Sequence, residues 1–74
     1  MLLSSLDKNI NATIKSIDCN EELKQRFYSF GLIKGNTVMV EEISPTKNTI
    51  VLLVDDTSVA IRLDEAKQIE VEIV

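Results

Sequence analysis

Seventy-four residues, 45% of them apolar and 27% charged, make one domain spanning 1–74 and exclude a disordered chain. A net charge of -4 sets the surface against phosphate backbones and anionic lipid, so nucleic acid is not an expected partner. Cys19 is the single cysteine, which excludes an intrachain disulfide and points to a reducing compartment.

Leu3 and Leu6 form an apolar pair at a spacing of three, suited to one short turn that plugs an end of the core. Asp7-Lys8-Asn9 reads as a turn, with Asn9 the residue best able to take a left-handed backbone. A first strand is expected from Ala12 to Ile17, with Ala12 and Ile14 on one face. Ile17 breaks the alternation, so a bulge or strand end is expected near Ser16.

Asp18 to Glu22 has the composition of a helix start. Asp18 or Asn20 can accept from free backbone N–H groups, and Glu21 and Glu22 suit the positive end of the dipole. Leu23, Phe27 and Phe30 then fall on one helical face, and Gly31 ends the helix, which is expected over Glu21–Phe30.

Gly35-Asn36 is a turn. Val38, Val40 and Ile43 follow along one face of a strand whose other face carries Met39 and Glu41. Pro45-Thr46-Lys47-Asn48 is a turn with proline in its natural place. Thr49–Val54 is almost wholly apolar, with Ile50, Leu52 and Val54 on one face and Val51 and Leu53 on the other. Asp55 to Ser58 closes a hairpin, and Val59–Ile61 is the returning strand. Asp64–Lys67 makes a single helical turn, and Ile69, Val71 and Ile73 alternate with glutamates in a last strand. Five short strands with close turns hide their edges best by curling. The fold class expected is mainly β: a small, partly closed, five-stranded SH3-like barrel, with a helix between strands 1 and 2 and a helical turn before the last strand.

The punctuation resembles the FeoA family of ferrous-iron transport accessory proteins over nearly the full length. The family's opening Leu-x-x-Leu-x-x-Gly is matched by Leu3, Leu6 and, in the glycine place, Asn9, and its first strand by Ala12, Ile14 and Ile17. Its Arg-Leu-x-x-x-Gly-Leu-x-x-Gly-x-x-Val signature is matched from Arg26 to Val38, with Phe27 for the leucine. A hairpin proline is matched by Pro45. An Ala-Leu-Arg-x-x-x-Ala-x-x-Ile-x-Val ending is matched from Ala60 to Val71. Thr49 stands for a second proline, and Asp55 and Asp56 stand where a glycine is common. The resemblance implies a cytoplasmic accessory to a membrane ferrous-iron permease with a GTP-binding domain, which it would bind, assemble or tune.

The residues offer little for chemistry. Without histidine and with one thiol, no tight iron or zinc site, and no catalytic or cofactor-binding residue, is expected. Glu41-Glu42, Asp55-Asp56 and Glu70/Glu72 read as solvated turns and edges. Cys19, beside a helix N-terminus, is expected to have a lowered pKa, although a lone thiol reads more simply as an incidental small residue. Arg26 could serve as an arginine finger; the plainer alternative is a solvent-facing charge late in the helix.

Function is therefore expected on the surface. Tyr28, Leu32, Ile33, Gly35, Met39 and Leu53 are the candidate partner-binding residues, with Val51 beside them, because a chain this small cannot bury them all. The alternative is that Leu32 and one residue of the strand pair complete the core. No apolar run is long enough to span a bilayer, so direct membrane insertion is not expected. An initiating methionine and the lack of a DNA-reading helix favour a stand-alone accessory over the other reading, a module of this architecture acting on a metal-dependent transcriptional repressor. A third reading is weak self-association through the Ile69–Val74 edge.

Overall fold

The computed structural model describes residues 1–46 and 48–74; the part of the expected Pro45–Asn48 turn that falls on Lys47 lies outside the described residues. A 3-10 turn (Leu3–Ser5) leads into β1 (Asn11–Ile17), α1 (Glu21–Ser29), β2 (Thr37–Ile43), β3 (Thr49–Val54), β4 (Thr57–Arg62), α2 (Leu63–Ala66) and β5 (Ile69–Ile73). The strands form one antiparallel sheet in the order β4-β3-β2-β1-β5. The edge strands β4 and β5 are joined through α2, so the sheet curls without a closing ladder.

Two irregularities in the apolar pattern have one cause. Ile14 and Ile17 are three apart, as are Val40 and Ile43, which strict alternation would place on opposite faces. The register shifts between Ile14 and Ser16 and again between Val40 and Glu42, one extra residue each time. Ile17 thus pairs with Ile69 and packs against the core, and Ile43 pairs with Ile50. At the last positions of their strands, Ile43 and Ile73 remain exposed.

The inward face of the curled sheet closes over Phe27 from α1 and Leu3 and Leu6 from the 3-10 turn. Ile50, Leu52 and Val54 point inward in strict alternation, and Ile61, Ile69 and Val71 join them. Among the described residues, every buried side chain is apolar.

Helix α1 starts at Asn20, whose side chain accepts from the Leu23 N–H at 2.8 Å, which decides between the two expected caps. It stops one residue earlier than expected, with Phe30 as the capping residue. Gly31 follows at φ 86°. The Gly31 N–H donates to the Tyr28 carbonyl and the Leu32 N–H to the Phe27 carbonyl, the paired bonds of a Schellman motif.

Asn9 adopts φ 65°, as its position in the first turn led us to expect. Strand β4 begins at Thr57, two residues before the expected start. The Val54–Thr57 pair leaves only Asp55 and Asp56 in the loop, at φ 50° and 63°. Two successive positive φ values give a turn whose twist matches the flanking strands.

The outer edge of β5 is partly covered: the Val71 N–H donates to the Met1 carbonyl at 2.8 Å and the Met1 amine to the Val71 carbonyl at 3.1 Å. The edge offered by the third reading for weak self-association is thus engaged at Val71 by residues of the same chain.

Candidate functional site

The six candidate surface residues divide three ways. Leu32 is a correction: it is fully buried in the core with Phe27. The reason is local. A Schellman cap brings the residue after the glycine back over the last helical turns, and an apolar side chain there packs on the helix it terminates. Glycine followed by leucine, five residues after Phe27, is the signal, and the burial is the alternative in which Leu32 completes the core.

Tyr28 and Ile33 are exposed, at 44% and 39%, on the helix and on the loop that follows it. Gly35, Met39 and Leu53 come together in a groove of about 480 Å³ on the outer face of the sheet. Asn11, Met39 and Leu53 lie in one cross-strand row over β1, β2 and β3. Met39 and Leu53 are half-buried and floor the groove. Gly35, Asn36 and Thr37 line one side, and the hairpin tip Asp55-Asp56 lines the other. Tyr28 and Ile33 lie outside this lining, so the candidates do not make one patch.

The groove is built by a fixed loop. The Gly35 N–H donates to the Ile14 carbonyl and the Ile14 N–H to the Asn36 carbonyl, both at 2.9 Å, which pins the turn before β2 to β1. The Asn36 side-chain amide donates to the Gly31 carbonyl at 2.7 Å and reaches the Asp55 carboxylate at 3.4 Å. One asparagine thereby ties the end of α1 to the β3–β4 hairpin. Farther along the same outer face, the Ser58 hydroxyl donates to Glu41 at 2.7 Å.

Arg26 is not a free cation. Its guanidinium meets the Glu65 carboxylate at 2.9 and 3.4 Å and sits over the Phe30 ring, 5.9 Å from the centroid. Glu65 also accepts from the Arg62 N–H at 2.9 Å, closing the first turn of α2. Arg26 therefore clasps α1 to α2 while remaining half exposed late in the helix, as the solvent-facing reading had it.

Cys19 also departs from expectation. Asn20 occupies the N-cap, so Cys19 lies outside the helix and packs partly against the core. Burial pushes its thiol above the ordinary value. Lys24 opposes the shift and Asp18 and Glu21 reinforce it. The acidic pairs do not converge: among the described residues, no group of three or more Asp, Glu, Cys or His side chains could hold a metal ion. Glu70 meets the Met1 amine at 2.8 Å and Glu72 meets Lys15 at 3.3 Å.

The FeoA domain model matches residues 1–73. The chain belongs to the FeoA family. It is 36% identical, over the whole of both chains, to a Campylobacter jejuni protein named as an Fe(2+) transport protein A. It is 27% identical over its full length to a Porphyromonas gingivalis protein named as a fusion of Fe(2+) transport protein A with the transporter FeoB, of which it spans 9%.

Among solved structures, the zinc complex of Stenotrophomonas maltophilia FeoA, described as a prokaryotic SH3 domain protein, superposes with a TM-score of 0.82 at 28% identity. That match covers 97% of this chain and 89% of the other. The fold is thus the SH3-like one, in a family of small accessory proteins rather than enzymes. A manganese-dependent transcriptional repressor shares it at a TM-score of 0.90, over all of this chain and 41% of that one; at 17% identity the likeness is of fold alone. Among the described residues no helix is long and apolar enough to cross a membrane.

Proposed function

We propose that this FeoA-family chain is a cytoplasmic accessory of a membrane ferrous-iron permease carrying a GTP-binding domain, and that it works by binding that permease and regulating transport. The observation that carries this reading is the fused relative, in which a segment alignable with this entire chain shares one polypeptide with the transporter FeoB. Covalent joining holds two modules at high effective concentration, an arrangement that serves partners which must meet. The curled barrel supports the reading, because among the described residues every side chain that fills its interior is apolar.

In this reading Arg26 acts as a structural clasp to Glu65 rather than as a transition-state cation. Any influence on nucleotide turnover would pass through the contact itself.

The test is to immobilise the tagged chain, pass detergent-solubilised membranes of the bacterium that encodes it over the resin, and identify retained proteins by mass spectrometry. Retention of the GTP-binding iron permease, competed away by untagged chain, is the expected result. Recovery of a DNA-binding repressor from the soluble fraction, with no permease retained, would overturn it.

A further inference from the structure

Resting on that reading, we infer that the outer-face groove floored by Met39 and Leu53 is where the permease docks, and that it takes an extended segment of the permease with an apolar side chain beside a lysine or arginine. The floor supplies the apolar half of the argument. Met39 and Leu53 pair across β2 and β3 and remain half-buried, so an incoming side chain can remove further apolar surface from water. Val51 and Ala60 pair in the next row of the same face and continue the apolar strip toward the β4 edge.

The rim supplies the charge. Asp55 and Asp56 are both exposed, and the described lining residues include no lysine or arginine. Among the described residues no cation pairs with Asp55 or Asp56, and Asp55 has a long 3.4 Å contact with the Asn36 amide. A cationic side chain from outside would find two carboxylates beside an apolar floor, and like charge would turn away anionic segments.

The backbone agrees with this assignment. Two aspartates hold positive φ at a tip where glycine would do so without strain, and Asn36 fastens the tip to the end of α1. The Asp55 carboxylate is thereby held toward the groove, and part of the ordering cost of binding is met before the partner arrives.

The experiment measures the affinity of the chain for the purified permease in detergent, using three variants. Asp55→Asn with Asp56→Asn removes both charges and keeps the turn, because asparagine tolerates a left-handed backbone at least as well. Met39→Gln makes the floor polar. Asp7→Asn with Asp64→Asn removes the same charge elsewhere. The double asparagine variant of the tip should bind roughly tenfold more weakly and lose much of the salt dependence, and Met39→Gln should bind several-fold more weakly. The control should stay within about twofold, and unfolding curves should show all three variants folded.

Wild-type binding that the tip and floor variants leave unchanged would overturn the groove while leaving the proposed function standing. Absence of wild-type binding would overturn both. A concentration-dependent dimer in sedimentation that the tip variant abolishes would assign the groove to a second copy of this chain and overturn the inference.

Discussion

Gly31 and Gly35 both carry positive φ, 86° and 96°, but they sit in different surroundings. A Cβ on Gly31 would stand 3.1 Å from an Asp55 carboxylate oxygen and 3.2 Å from a Val54 methyl, whereas one on Gly35 would meet nothing within 4 Å. Gly35→Ala should therefore cost only the left-handed penalty of ~1–2 kcal/mol. Gly31→Ala should cost about 1 kcal/mol more, because the core methyl of Val54 cannot swing away. Urea unfolding of the two variants checks the order, and equal midpoints would contradict it.

Cys19 gives a second prediction at this scale. Its thiol keeps its proton above the ordinary pKa, so the folded state favours the protonated form. The sign follows: the associated stability is complete below the unfolded-state value of 9.0 and is lost as pH rises through the raised folded value. Iodoacetamide should alkylate the folded chain more slowly at pH 8 than it alkylates the urea-unfolded chain. A faster reaction in the folded state would contradict the burial argument.

At the scale of elements, Glu65 holds more together than its position on a four-residue helix suggests. Its side chain is 12% exposed against 50% for Arg26, and it serves both the Arg62 N–H and the guanidinium. Arg26→Ala should destabilise by roughly 0.5–1 kcal/mol, since half of that side chain is already in water. Glu65→Ala should cost about 1–2 kcal/mol, because it also leaves the α2 start uncapped. Thermal unfolding of both checks this, and a larger loss for Arg26→Ala would contradict it. In a GTP-hydrolysis assay with the permease, folded Arg26→Ala should leave turnover as the wild type does.

The elements were largely legible from residue order. The two three-residue apolar spacings mark bulges, and the Asp18–Gly31 stretch carries both ends of a helix in its side chains. Side-chain pairing across elements was not legible. Arg26 and Glu65 lie 39 positions apart, and nothing local to either announces the other. In the sequence Leu32 stays open between surface and core, because its burial depends on the Schellman geometry rather than on periodicity. Of the candidate surface, the part borne by β2 and β3 assembled because strand register brings Met39 opposite Leu53. Tyr28 and Ile33 follow the helix and its loop instead.

At the scale of the whole molecule, the sheet curls until its inner face is filled by aliphatic side chains and one phenylalanine. Nothing inside is left for a reacting group. The acidic excess is spread over the exterior, and the outer face of β1–β3 supplies a half-buried apolar floor beside the exposed carboxylates of Asp55 and Asp56. Such a molecule acts by what it touches. The most direct measurement is sedimentation velocity of the fluorescently labelled chain mixed with the detergent-solubilised permease. We predict that, as permease is added, the label moves in a saturable way from the position of a small free protein into the permease boundary. Label that stays at the free position throughout the titration, with folded protein on both sides, would contradict the account.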